Sequence, residues 1–146
     1  MQENKIKQAI ITGASKGIGK AIAFELAKDN IEVILLSRNK KNLQSVVDDI
    51  IFLGGKASYY EIDISDVKSY SNILDTIKEK HENINILINN AGINKDKLIL
   101  RMDEDSWDSV INTNLKATYL GIQKISKNMI KSKWGRIVNI TSISGH

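Results

Sequence analysis

Five short segments rich in isoleucine and valine alternate along this chain with amphipathic stretches: Ala9 to Thr12, Val33 to Ser37, Ala57 to Ile62, Ile84 to Asn89 and Arg136 to Thr141. Segments of this length and composition read as strands buried on both faces, whereas the stretches between them repeat apolar residues every three or four positions, as helices do. Ile18, Ile22 and Leu26 share one face of Gly17 to Lys28, and Leu43, Val46, Val47 and Ile50 share one face of Asn42 to Leu53. Tyr70, Ile73, Leu74 and Ile77 do the same in Val67 to Lys80, and Asp103 to Lys131 is expected to form the longest helix. Strict alternation leaves few topologies, because each strand must return through a crossover helix to lie parallel to its neighbour. A parallel sheet covered by helices on both faces follows. The 146 residues, 42% hydrophobic and 26% charged, suffice for one core without internal repeats or linkers.

Several function classes fall away at this point. No apolar run approaches the ~18 residues that cross a bilayer, and Met1 to Gln8 lacks the apolar stretch of a signal peptide. With no cysteine and only His81 and His146, disulfides, thiolate chemistry and a zinc site are excluded, so no metal is expected and a cytoplasmic setting is. The net charge of +4 is unevenly spread, because every acidic residue lies at or before Asp108 while Lys116, Lys124, Lys127, Lys131, Lys133 and Arg136 follow it. Such asymmetry either steers an anionic partner or marks a solvated helix face. Nucleic acid is not the expected partner, since aromatics are only 5% and no binding motif interleaves with the lysines.

The first strand runs into Thr12-Gly13-Ala14-Ser15-Lys16-Gly17-Ile18-Gly19 and then a helix. Glycines there allow a tight turn and bring backbone N–H groups close to a phosphate, towards which the new helix points the positive end of its dipole. A Walker A loop is excluded, because position 18 is Ile where that loop needs glycine and Lys20 is followed by Ala21. A dinucleotide site is the better reading of a glycine turn between strand and helix.

The pattern T-G-x-x-x-G-x-G resembles the coenzyme motif of the short-chain dehydrogenases/reductases. Asn89-Asn90-Ala91-Gly92 after the fourth strand resembles that family's second hallmark. Asn114 in Asn112-Thr113-Asn114-Leu115 and Ser142 in Ile140-Thr141-Ser142 resemble its active-site asparagine and serine, so four motifs fall in order. The run from Asn90 to Leu98, continuing through Arg101-Met102 and Trp107, is most similar to the 3-oxoacyl-(acyl-carrier-protein) reductases within that family. The resemblance implies a Rossmann-type doubly wound α/β sheet of strand order 3-2-1-4-5, with residues 1–146 forming the N-terminal part of one dinucleotide-binding domain and the C-terminal strands and helices absent. It also implies that the chain stops before the family's Tyr-x-x-x-Lys helix. Tyr59, Tyr60, Tyr70 and Tyr119 are followed four positions on by Asp63, Ile64, Leu74 and Gln123, never by lysine. Independently, a fifth strand followed only by Ser142 to His146 would leave a bare sheet edge, which truncation, swapping or a partner strand would explain.

The implied coenzyme contacts are Gly13, Ala14, Ser15, Lys16, Gly17, Ile18 and Gly19 at the turn, with Arg38, Asp63, Ile64, Asn90, Ala91 and Gly92 beyond it. At the end of the second strand an acidic residue would accept from the ribose hydroxyls of NAD, whereas Ser37 and the Arg38 guanidinium suit a 2′-phosphate, so NADPH is expected. Asp63 and Ile64 would bracket the adenine, with Ser65 or Asp66 as the cap of the helix that follows. Asn114 falls on the stripe Trp107, Val110, Asn114, Gly121, Ile125, so it is expected on an otherwise apolar face and must find a partner there. The resemblance implies a distorted helix turn at Asn114 that holds a water, and a Ser142 hydroxyl that hydrogen-bonds the substrate carbonyl. It further implies reduction of a 3-oxoacyl group on acyl carrier protein, docked at Lys131, Lys133 and Arg136, by a homo-oligomer, a tetramer in the family. Another small carbonyl or alcohol substrate, or a non-catalytic nucleotide-binding remnant, are the alternatives, and the chain alone is not expected to turn over.

Overall fold

The computed structural model describes residues 6–142. Five parallel strands, β1 (Gln8–Thr12), β2 (Glu32–Ser37), β3 (Ala57–Glu61), β4 (Ile84–Asn89) and β5 (Arg136–Asn139), form one sheet in the order β3-β2-β1-β4-β5. The helices between them are α1 (Gly17–Lys28), α2 (Lys40–Phe52), α3 (Val67–Lys80), and the pair α4 (Glu104–Ile111) and α5 (Ala117–Ser132). The expected doubly wound order is therefore present.

Side chains that alternate along each strand feed two separate cores. Ile10, Ile34, Leu36, Ile84 and Leu87 meet Tyr70, Leu74 and Ile77 of α3 and Ala117, Ile125 and Met129 of α5. Ala9, Ile11, Val33, Leu35, Ile86 and Ile88 meet Ala23 of α1 and Leu43, Val46, Val47 and Ile50 of α2. Ile84 and Leu87 share a face although they stand three apart, because the β1–β4 pairing slips between Gln8 and Ala9 and leaves Asn85 as the extra residue. The central strands are buried as expected, but β3 is half-buried and β5 is exposed along its whole length. An edge strand gains cover from one side only, so the reading of these two as buried on both faces is corrected.

Local chemistry moves several boundaries. Asn39 accepts from the Asn42 backbone N–H at 2.9 Å and so starts α2 two residues earlier than the apolar repeat suggested. Asp66, rather than Ser65, caps α3 by accepting from the Ser69 N–H at 3.1 Å. The long helix expected over Asp103 to Lys131 is broken by a π-helical turn, Asn112–Lys116, and a short 3₁₀ turn, Ile99–Arg101, precedes it. One extra residue per turn rotates the helix beyond it. The buried face consequently reads Ser106, Thr113, Ala117, Gly121, Ile125, while Trp107 is exposed and Asn114 lies outside the apolar face where the sequence stripe put it.

Candidate coenzyme and carbonyl site

The cleft opens at the C-terminal ends of β1, β2, β3 and β4, where a doubly wound sheet reverses its winding. It encloses about 320 Å³. The glycine turn forms one wall. Gly13 and Gly17 adopt φ of +67° and +56°, a left-handed conformation that side-chain-bearing residues rarely take. Gly19 is buried for a different reason: a Cβ there would overlap the Gly13 carbonyl and lie 2.5 Å from Asn90 Nδ2. Backbone thus packs directly on the second motif.

That second motif is held by Thr12, a residue present in the turn pattern but not expected in the site. Its hydroxyl oxygen accepts from the backbone N–H groups of both Asn90 and Ala91 at 3.0 Å. Asn90 Nδ2 in turn donates to the carbonyls of Thr12 at 3.1 Å and Gly13 at 3.2 Å. Four hydrogen bonds therefore lock the turn after β1 to the turn after β4. The α1 N-terminus carries no side-chain cap, since Lys16 at that position is extended and contributes no cap bond. Its first-turn N–H groups remain suited to an anion.

Of the expected contacts, Gly13, Ser15, Lys16, Gly17 and Ile18 line the cleft from the turn, Arg38, Asp63 and Ile64 from β2 and β3, and Asn90, Ala91 and Gly92 from β4. Ala14 is fully buried behind the turn and Gly19 beneath it, so both act through packing. Ser37, Ile62, Ile93 and Thr113 also line the cleft. The Ser37 and Ser15 hydroxyls are joined at 2.8 Å, which bridges the ends of β1 and β2. Arg38 Nη1 lies 3.6 Å from Asp63 Oδ2, while Asp63 Oδ1 accepts from the Ser65 hydroxyl at 2.7 Å and its N–H at 2.9 Å. Partial burial pushes the Asp63 carboxyl up, but the Ser65 bonds and the Arg38 charge together hold it below the ordinary carboxylate range.

At the other end of the cleft Asn114 clasps one residue. Its Oδ1 accepts from the Ile93 N–H and its Nδ2 donates to the Ile93 carbonyl, both at 2.9 Å. The Asn114 carbonyl receives the Thr118 hydroxyl at 3.2 Å, within the π turn that stands where the resemblance implied a distorted helix turn. Ser142 is exposed just past β5, whose exit is tied to β4 by Ile140 N–H to Asn89 carbonyl at 2.9 Å and by Asn89 Nδ2 to Asn139 Oδ1 at 2.9 Å. Neither Asn114 nor Ser142 lines the cleft itself. Lys131, Lys133 and Arg136 sit at the opposite end of β5, with the Arg136 guanidinium over the Trp134 ring at 5.0 Å and the Lys7 ammonium over it at 4.1 Å. Among the described residues there is no cluster able to hold a metal ion, and no helix is long and apolar enough to cross a membrane.

The short-chain dehydrogenase family model matches residues 7–146, and the chain belongs to that family. A 3-oxoacyl-(acyl-carrier-protein) reductase of Thermotoga maritima is 39% identical over 139 residues, which is 95% of this chain and 56% of that protein. Its counterpart from Chlamydia pneumoniae is 37% identical over 137 residues, 94% of this chain and 55% of that protein. The chain thus spans about half the length of these curated relatives. A metagenomic short-chain oxidoreductase solved with NADP superposes with a TM-score of 0.91 at 34% identity, over 96% of this chain and 64% of that one. A 3-oxoacyl (acyl-carrier-protein) reductase from Agrobacterium tumefaciens solved with NADP bound gives 0.87 at 29% identity, over 94% and 53%.

Proposed function

We propose that these residues form the coenzyme-binding part of an NADPH-dependent reductase of 3-oxoacyl groups carried on acyl carrier protein. The observation that carries the reading is the cleft itself, where an uncapped helix start, Lys16 and Arg38 converge with no acidic residue at the end of β2. The chemistry fits a dinucleotide bearing a 2′-phosphate. Relatives named for 3-oxoacyl-(acyl-carrier-protein) reduction and solved neighbours holding NADP support the same choice.

When bound, the coenzyme supplies a hydride. The turn N–H groups at the start of α1 hold its phosphates, Arg38 and Lys16 pair with the 2′-phosphate, and Asn90, Ala91 and Gly92 offer a wall with little bulk beside the ribose. Asp63 and Ile64 hold the adenine. Ser142 donates a hydrogen bond to the substrate carbonyl oxygen as negative charge develops there, and the Asn114 carbonyl holds a water for proton return. The acid that completes the reaction has no counterpart among the tyrosines of this sequence, so the reading places it in the part of the relatives that these residues do not span.

Lys131, Lys133 and Arg136 receive the acidic carrier, from a face remote from the coenzyme turn, and the active form is a homo-oligomer in the cytoplasm. The test is NADPH oxidation with a 3-oxoacyl thioester by the protein as its coding sequence encodes it. Turnover with NADPH at least tenfold above NADH supports the reading, and no turnover with any 3-oxoacyl thioester refutes it. Charge reversal at Lys131 and Lys133 raises KM for the carrier-linked substrate in a salt-dependent manner and spares a small thioester analogue. Equal effects on the two substrates remove the docking assignment.

A further inference from the structure

Arg38 does not stand alone in the cleft. Ser37 pairs with Glu61 at the last rung of the parallel β2–β3 ladder, and the Ile62 N–H donates to the Ser37 carbonyl at 2.9 Å. Arg38 and Asp63 are the residues one and two positions beyond that rung, so strand register brings the cation and the carboxylate together. The two Asp63 oxygens are used differently. Oδ1 is occupied by the Ser65 hydroxyl and N–H, while Oδ2 faces Arg38 Nη1 at 3.6 Å. Ser65 thereby orients the carboxylate so that its second oxygen competes for the guanidinium.

We infer that Asp63 is a specificity-determining residue that competes with the coenzyme 2′-phosphate for Arg38 and so narrows the preference for NADPH over NADH. The inference rests on the NADPH reading above and deepens it. Two effects oppose each other at this pair. The carboxylate tethers Arg38 near the cleft, which would help a phosphate, and it also neutralises Arg38 and repels a second anion brought beside it. The tether is weak, because the Arg38 side chain is 67% and the Asp63 side chain 47% exposed, and an ion pair so open to water restrains little. Repulsion is the term that grows when a phosphate carrying about −1.5 to −2 charges arrives, so competition wins. Lys16 lines the same cleft without an acidic partner in the ion pairs of the described residues and does not depend on Asp63.

Asp63→Asn isolates the term, because the amide oxygen keeps the Ser65 bonds while the amide nitrogen replaces the oxygen that faces Arg38. Calorimetric binding of 2′,5′-ADP and of ADP to the protein as encoded gives an affinity ratio from which the adenine contact cancels. The expected result is a rise in that ratio of about 3- to 5-fold in Asp63→Asn at low salt, shrinking as salt is raised, with Asp63→Glu close to the parent. An unchanged or lowered ratio in a variant that melts like the parent overturns the inference, and a lowered one assigns Asp63 to tethering instead. If Asp63→Asn does not fold, an Asp63→Glu ratio equal to that of Asp63→Ser overturns it equally. Arg38→Ala separates the two levels: if it leaves the parent ratio unchanged the NADPH reading itself has failed, whereas a collapse in Arg38→Ala without a rise in Asp63→Asn fails the competition alone.

Discussion

Around Asn90 the cleft is closed by partly buried contacts that involve backbone on both sides, while Asn114 and Ser142, which stand beyond its lining, are exposed beside an exposed strand. At the first corner four hydrogen bonds join Thr12 and Gly13 to Asn90 and Ala91 across two turns, and Gly19 leaves no room for a methyl group. At the second, the Asn114 side chain holds Ile93, and β5 is exposed throughout. A corner built from backbone can bind the invariant part of a ligand with fixed geometry. One built from exposed side chains leaves its chemistry dependent on what packs over it. The difference predicts that substitutions at the first corner act on folding and coenzyme affinity together, whereas those at the second act on turnover alone.

The largest effect that would sharpen this contrast comes from Ser142→Ala. On the proposed reading Ser142 donates to the developing oxyanion, and removing one such donor should cost about 10²- to 10³-fold in kcat, with NADPH affinity unchanged. Loss of coenzyme binding in Ser142→Ala would show that the two corners are not independent.

Thr12→Val is next. Valine is nearly isosteric with threonine but leaves the Asn90 and Ala91 N–H groups without their acceptor in a partly buried site, a loss of about 1–3 kcal/mol in unfolding free energy. NADPH affinity should fall in parallel, and Thr12→Ser should restore most of both. Urea unfolding with coenzyme titration checks the pair of values, and a stability loss without an affinity loss would break the proposed coupling.

Much of the first corner is legible in the sequence because it is local: the glycines, Asn90-Ala91-Gly92 and the start of α1 are contiguous strings whose conformation follows from residue type. The Thr12 clamp was hidden because its partners lie 78 and 79 residues away. The second corner was harder to read. A 3.6-residue repeat carries no sign of one extra residue in a turn, so the π turn at Asn112–Lys116 rotated Trp107 and Asn114 out of the expected stripe. Composition alone misleads at β5, since Ile137 and Val138 look like core residues, whereas the expected order 3-2-1-4-5 already set that strand at a bare edge. Arg38 and Asp63 were each expected in the site, yet their pairing depends on β2–β3 register, which apolar alternation does not specify.

A smaller effect separates the α1 start from the starts of α2, α3 and α4. Asn39, Asp66 and Asp103 cap α2, α3 and α4, while α1 has no side-chain cap and opens on the cleft. Asp66→Ala should cost about 1 kcal/mol of stability and leave coenzyme affinity untouched, since that cap serves only the helix. Lys16→Ser, which offers α1 a cap of its own, should weaken NADPH binding without a comparable loss of stability. A gain in both quantities would mean that the uncapped start has no bearing on the anion.

The smallest effect is on acid stability, and its sign follows from the same caps. Hydrogen bonds from the Ser69 hydroxyl and then the Ser69 N–H hold the Asp66 carboxyl below its ordinary value of 3.8. A carboxylate whose folded-state pKa is depressed binds fewer protons folded than unfolded, so its contribution is whole above about pH 5 and is lost as pH falls through 3.8 towards the folded value. Asp63, depressed in the same direction, adds a contribution with the same sign. Asp66→Asn keeps an equally good cap but cannot titrate, so stability at neutral pH should change little while the decline between about pH 5 and pH 3 becomes shallower. Urea midpoints at closely spaced pH values measure that slope. A slope identical to the parent would show that Asp66 is no better hydrogen-bonded in the folded chain than in the unfolded one, and would remove the electrostatic part of the cap from the account of α3.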